Sequence, residues 1–282
     1  MNPRQKILDH FSELSPELKR SAQFILDNEQ ELIVLSMRGF AQKAQVKPAT
    51  LLRLAKFLGY EGWNSLKDEF IILNGLRDHS YTSKAQKIVN DSNHNLYDLF
   101  FESQMNNLVT THQRNKDSFQ QFVNLVDTTG HIYICGFRAS FPIAWSLFYV
   151  YKLFNKNIIL IDGLASNLEM YMRDFSKEDT VIVVGFAPYS REITLVADHA
   201  QKAKSKVFAI TDHITSPLVT HAISTLWFSI ESPSFFPSIS SGISISEALL
   251  AALLSKSGQN AVEKVKISED FIIQSGAYFN EK

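Results

Sequence analysis

Cysteine is nearly absent, with Cys135 the only one in 282 residues. A lone thiol excludes an intrachain disulfide, and no Cys/His grouping has the spacing of a zinc site, so neither a metal nor another cofactor is implied. Long hydrophobic runs are missing too. No apolar stretch approaches the roughly eighteen residues that suggest a membrane span, and no export signal is legible. Together these predict a cytoplasmic chain that does not engage a membrane. Charge of one sign is not in excess: 28 basic residues face 29 acidic ones, for a net charge of −1. With a pI near 6.7, blanket attraction to nucleic acid is excluded, and any such contact requires a local patch. Internal repeats and low-complexity tracts are also lacking. What remains is an ordinary globular composition, 45% hydrophobic and 20% charged, on a chain long enough for two cores.

A local patch does exist. Arg38, Lys43, Lys47, Arg53 and Lys56 lie between Ser36 and Tyr60, and no Asp or Glu interrupts them. Met37, Phe40, Ala41 and Ala44 keep helical spacing, as do Leu51, Leu52, Leu54, Ala55 and Leu58, with Val46 placed to plug a turn between them. Pro48 suits a first helical turn and Gly59 a helix end. The pattern predicts a helix-turn-helix, and Ala41 and Ala44 are small enough for its helices to cross closely. An ordinary helical hairpin with a solvated face is the plainer reading. The basic patch favours double-stranded DNA, with phosphates neutralised and a helix slim enough for the major groove. Arg38, Lys43, Lys47, Thr50, Arg53 and Lys56 are the candidate contacts. Thr50 and Arg53 are expected on the exposed side, Arg53 at a base edge and Lys47 and Lys56 on phosphates.

The texture changes along the chain. Residues 1–77 read as helical, 78–95 as a polar linker rich in Ser, Asn and His, and 96–282 as a second domain that opens with helix. From His131 onward, short apolar runs at His131–Cys135, Ile158–Ile161, Thr180–Val184, Val207–Ile210 and Thr225–Ser229 alternate with helical or turn segments. Such a series predicts an α/β domain with a mainly parallel sheet covered on both faces. Ser244–Ser255 reads as a closing helix. Ligands of such sheets bind beyond the carboxyl ends of the strands. Two loops fall there, Gly136 to Ser140 and Gly185 to Glu192. Gly136 and Gly185 permit tight turns, Ser140 and Ser190 are expected to cap helices, and Arg138 and Arg191 bring positive charge. Hydroxyls, N–H groups and guanidinium groups converging in this way favour an anionic ligand. The dispersed histidines read as surface or structural residues. Phe235-Phe236-Pro237 reads as a pocket lid or an interface rather than an exposed loop.

Leu14-Ser15-Pro16, Ile25-Leu26-Asp27-Asn28, Leu35-Ser36, Ala41 to Val46, Ala49-Thr50 with Arg53, and Leu58-Gly59-Tyr60-Glu61-Gly62-Trp63 to Lys67 resemble the N-terminal domain of RpiR-type bacterial transcription regulators. Lys47-Pro48 departs from the family's usual Ser-Glu, losing a side-chain N-cap but fixing the first turn. Residues 120–262 resemble the sugar isomerase (SIS) domain of the same regulators. Its phosphosugar loops read G-x-G-x-S and S-x-S-G-x-[ST]. Gly136 and Ser140 match the first, with Arg138 in place of its second glycine. Only Ser190 matches the second. Phe186, Tyr189 to Glu192 and Ser232 to Phe236 are similar to a branch of the family that reads F-x-x-Y-S-R-E and S-P-S-F-F. The resemblance implies a non-enzymatic, DNA-binding regulator that senses a small anionic metabolite, a phosphorylated sugar or a carboxylic acid. Its effector residues would be Gly136, Arg138, Ser140, Gly185, Ser190, Arg191 and Glu247. The alternatives are an SIS-type phosphosugar isomerase with Glu247 as base, and a dimerisation module with an empty pocket. A homodimer is expected, with a tetramer as the larger option, and the apolar Ser244–Ser255 helix is the candidate for part of its interface.

Overall fold

The computed structural model describes residues 3–73, 81–90, 95–126, 129–163 and 168–277. The chain packs as two units that divide at Gln86. The first comprises α1 (Pro3–His10), α2 (Pro16–Asp27), α3 (Glu29–Val34), α4 (Met37–Lys43), α5 (Pro48–Phe57) and α6 (Trp63–Leu73). Apolar residues at helical spacing turn one stripe of each helix inward, and Ile7, Ile25, Leu32, Phe40, Leu51, Leu54, Trp63 and Phe70 meet in one core. Local chemistry sets the breaks. Pro16 and Pro48 occupy first turns, and the Ser36 hydroxyl accepts from Gly39 N–H at 3.2 Å to start α4. Gly59, at φ 79°, follows α5 in the left-handed region. Lys67 donates to the Leu35 carbonyl at 2.8 Å and closes the end of α3, so this lysine is structural.

Helix α7 (Tyr81–Asn90) lies within the segment expected as a polar linker, while residues 78–80 and 91–94 fall outside the described residues. Tyr81, Ala85 and Ile88 recur at i, i+4 and i+7 and are half-buried, so a sparse helical period was hidden by the Thr, Ser, Lys and Gln between them.

In the second unit, α8 (Leu96–Asn115) and α9 (Phe119–Leu125) lead into strands β1 (Ile132–Gly136), β2 (Ile158–Ile161), β3 (Thr180–Gly185), β4 (Lys206–Thr211) and β5 (Ser224–Trp227). Their order is β2-β1-β3-β4-β5, and every pairing is parallel. The connections carry α10 (Phe141–Lys152), α11 (Leu168–Asp174) and α12 (Arg191–Lys202), and α13 (Ser240–Gln274) closes the fold with a break at Gly258. Both sheet faces are covered, which explains the apolar runs inside β1 to β4; β5, at the edge, reads Ser-Thr-Leu-Trp and fully buries only Leu226. Ile132, Ile134, Ile182, Val184 and Phe208 pack against α9, α10 and α13, whereas Tyr133, Cys135, Val181, Val183 and Ala209 pack against α12. The closing helix narrows one expectation. Ile245, Leu249, Leu250 and Leu253 are buried in this unit's own core, so only the face of Glu247, Ala248, Ala251 and Ser255 is left for a subunit interface.

Helix α8 is amphipathic in the inverted sense. Its buried row is Gln104, Asn107, Thr111 and Asn115, while Tyr97, Phe101, Met105, Leu108 and Val109 are exposed. The polar row completes the edge of the sheet. Asn115 donates to the Trp227 carbonyl at 2.7 Å and accepts from Trp227 N–H at 2.8 Å. Thr111 accepts from Ser229 N–H at 3.0 Å, and Asn107 donates to the Glu231 carbonyl at 2.7 Å. Side-chain amides thus stand in for a sixth strand, and an edge that would otherwise invite another chain is closed.

Candidate functional sites

In the first unit, α4 and α5 form the expected helix-turn-helix. Gln45 takes φ 54° in the turn, Val46 N–H donates to the Ala41 carbonyl at 3.0 Å, and Val46 packs on the core. Lys47 precedes α5 without a side-chain cap bond, and Pro48 opens the helix. Arg38, Lys43, Lys47, Arg53 and Lys56 are all exposed. Two are tied to acids that sequence order concealed. Lys43 pairs with Glu31 at 2.6 Å, and Arg53 pairs with Glu17 at 3.2 Å.

Thr50 corrects the expectation of an exposed contact, since it is 0% exposed. It sits one turn before Leu54 on the buried stripe, and its hydroxyl donates to Glu17 Oε1 at 2.7 Å. Arg53 Nη2 reaches Glu17 Oε2 and, at 3.3 Å, Thr50 Oγ1. The Thr50 hydroxyl and the Arg53 guanidinium hold the Glu17 carboxyl below its usual range. Sequence reasoning missed Glu17 because an acid in the first turn of α2 reads as a response to the helix dipole.

In the second unit, the loops after β1 and β3 meet at the point where strand order reverses, with β2 to one side of β1 and β3 to the other. A crevice of about 590 Å³ opens there, lined by Arg138, Pro188, Tyr189, Ser190, Arg191, Glu192 and Leu195. Ser190 caps α12 by accepting from Ile193 N–H at 3.3 Å. Ser140 does not cap α10. It is buried in a short 3-10 turn, Arg138–Ser140, that runs into that helix.

Gly136 serves close packing rather than a special turn, because a Cβ there would lie 2.5 Å from Ala144 Cβ and 2.9 Å from the Ser140 carbonyl oxygen. Gly185 is similarly hemmed in, with Leu218 Cδ1 at 3.0 Å from a Cβ. Arg138 takes φ 54°, so the left-handed backbone survives where the family loop has its second glycine.

The charge of the crevice is lower than two arginines suggest. Arg138 Nη2 donates to Glu192 Oε1 at 3.0 Å, bridging the two loops, while Arg191 stays exposed at the start of α12. The Glu192 backbone N–H and the Arg138 guanidinium keep the Glu192 carboxyl below its ordinary value. Beneath, the Tyr189 hydroxyl donates to Asp212 Oδ1, and Asp212 Oδ2 accepts from Ala187 N–H at 3.2 Å. Burial first, then the adjacent Asp212 carboxylate, push the Tyr189 phenol upward, so it stays a protonated donor that pins the loop. Glu247 is exposed in the second turn of α13 and does not line the crevice, which separates it from the residues it was grouped with. Phe235 borders another groove, of about 400 Å³, with Ile88, Leu96, Tyr97, Phe100 and Phe101, whereas Phe236 packs on the core.

Among the described residues, no cluster of His, Cys, Asp and Glu is suited to a metal ion, and no helix is long and apolar enough to cross a membrane.

Comparison with known proteins agrees with this division. Residues 1–72 match the helix-turn-helix domain, rpiR family, and residues 125–255 match the SIS domain. An Escherichia coli (strain K12) protein, the uncharacterized HTH-type transcriptional regulator YfhH, is 21% identical over 291 residues, spanning 96% of this chain and 99% of its own. The structure of the Vibrio vulnificus NanR protein complexed with ManNAc-6P superposes with a TM-score of 0.59 at 20% identity, covering 98% of this chain and 100% of that one. The sugar isomerase domain of an RpiR transcription factor from Sphaerobacter thermophilus gives 0.57 at 18% identity, over 61% of this chain and 96% of its own. At these identities the two superpositions speak for the fold. With an rpiR-family helix-turn-helix placed ahead of a SIS domain, the chain belongs to the RpiR-type transcription regulators.

Proposed function

We propose that this regulator reads double-stranded DNA through α5 and senses a small anionic metabolite, a phosphorylated sugar ahead of a carboxylic acid, in the crevice between the β1 and β3 loops. The observation that carries the reading is the crevice itself. Arg191 and Arg138, the start of α12 and the Ser190 hydroxyl converge at the switch point of a parallel sheet, where ligands of such sheets bind. NanR, which shares the fold, is complexed with ManNAc-6P, and that supports ranking a sugar phosphate first. The base expected of an isomerase, Glu247, does not line the crevice, and the carboxylate that does, Glu192, is tied to Arg138.

On DNA, Lys47 and Lys56 grip phosphates while Arg53 reaches a base edge. Arg53→Ala is expected to weaken binding by about 1–3 kcal/mol and to relax the preferred sequence, whereas Lys56→Ala weakens all sequences alike. A mobility-shift titration in which Arg53→Ala keeps both affinity and preference removes α5 from base reading. One helix-turn-helix covers only half a site, so a two-fold dimer completes the reader. The exposed apolar row of α8 is the surface we assign to a second copy, in place of α13.

A further inference from the structure

Glu17 on α2 and Arg53 on α5 are separated by 36 positions in sequence, yet one carboxylate joins them. Oε1 accepts from the buried Thr50 hydroxyl at 2.7 Å, and Oε2 accepts from Arg53 Nη2 at 3.2 Å. The arrangement places an acid, with its side chain 41% exposed, beside the helix that should approach a polyanion. Left without a task, that charge only weakens phosphate binding.

We propose that Glu17 is a specificity-determining positioning residue for DNA recognition, holding Arg53 so that its guanidinium accepts a neutral base edge and refuses a phosphate. The inference rests on the placement of Arg53 at a base edge given above. Its physical basis is a difference in charge. A phosphate oxygen brought to Arg53 also comes close to the Glu17 carboxylate, and the two anions repel. The O6/N7 edge of guanine carries no net charge, so it is spared that repulsion. Arg53 Nη2 already donates to Glu17 and Thr50, and the remaining N–H hydrogens of the guanidinium are left for the guanine edge. Thr50 anchors the other carboxylate oxygen, which tethers the acid to α5. Discrimination is achieved by penalising the wrong partner, which leaves affinity for the right one largely intact.

The test uses the full chain and two DNA pools: duplexes enriched from random sequence by the unaltered protein, and unselected duplexes of equal length. For Glu17→Gln, affinity for unselected DNA is expected to rise about 3- to 10-fold near 0.1 M salt. Affinity for the enriched pool changes by less than about twofold, so discrimination drops. The salt dependence on unselected DNA steepens by about 0.9 in the log–log slope, as Arg53 gains a phosphate.

Unchanged discrimination and unchanged slope overturn the proposal. So does an equal loss on both pools with a lowered melting temperature, since Glu17 is then only a brace between α2 and α5. Should Glu17→Gln fail to fold, Glu17→Gln combined with Thr50→Val removes the buried hydroxyl and carries the same expectations. Arg53→Ala separates the two readings. If it leaves preference intact, base reading by Arg53 fails; if it relaxes preference while Glu17→Gln does not, Arg53 keeps its role and Glu17 loses the one assigned to it.

Discussion

Arg138 holds a backbone conformation that residues with a side chain seldom adopt, and it does so at the mouth of the crevice. Left-handed φ costs a non-glycine residue about 1–2 kcal/mol, a strain that the Arg138–Glu192 pair across the two loops helps to offset. Two substitutions separate strain from charge. Arg138→Gly removes both, Arg138→Ala removes the charge alone, and the glycine variant is expected to be the more stable by about 1 kcal/mol in thermal unfolding. Both should bind sugar phosphates more weakly than the parent in calorimetry, while Glu192→Gln, which frees the guanidinium from its carboxylate, should bind them more tightly. Equal affinities across all four proteins place the sensing site elsewhere. Single residues are also where the sequence was least legible. Arg138, Ser190 and Arg191 line the crevice, a position legible because loops after parallel strands are predictable. Thr50 was misplaced, although its spacing of four from Leu54 marks the buried stripe. Glu17 and Glu31 were invisible, because nothing local says which distant basic residue an acid will meet.

At the scale of elements, regular periodicity was legible and inverted periodicity was not. Strands β1 to β4 announce themselves because burial on both faces makes their interiors apolar runs, whereas β5, which opens with Ser224 and Thr225, is the faintest. Helix α8 shows a polar row and an apolar row, which by habit is read with the apolar side inward. Here the polar row is inward, because edge strand β5 and the segment after it offer unpaired backbone groups that only amides and hydroxyls satisfy. The apolar row of Tyr97, Phe101, Met105 and Leu108 is then left facing outward, a surface that calls for cover. Phe101→Glu with Met105→Glu is expected to weaken self-association at least about tenfold, roughly 1.4 kcal/mol. The circular-dichroism spectrum should not change, since neither side chain is in the core. A doubly substituted protein that still sediments as the parent assembly excludes α8 from the interface.

For the whole molecule, net charge proved a poor guide until acids were placed in space. The five basic residues of the helix-turn-helix share their surroundings with Glu17 and Glu31, so the patch is sharper than its composition implies. The two units also differ in how far along the chain their partners lie. The helical unit closes on contacts made within its first 73 residues, whereas β1 must wait for both neighbours, β2 from Ile158 and β3 from Thr180. No hairpin is available to shield it. On the ribosome, this order means that the second unit emerges with bare strand edges that persist until later strands arrive. A chain stopped after Leu73 should accumulate in soluble form, whereas one stopped after Ser205 ends with β3 lacking β4 and should pellet. Equal solubility of the two fragments would show that the growing sheet needs no such protection. The unit we assign to DNA is thus complete before the unit we assign to sensing has begun to form, and every nascent chain passes through a stage that holds half a DNA reader and no sensor.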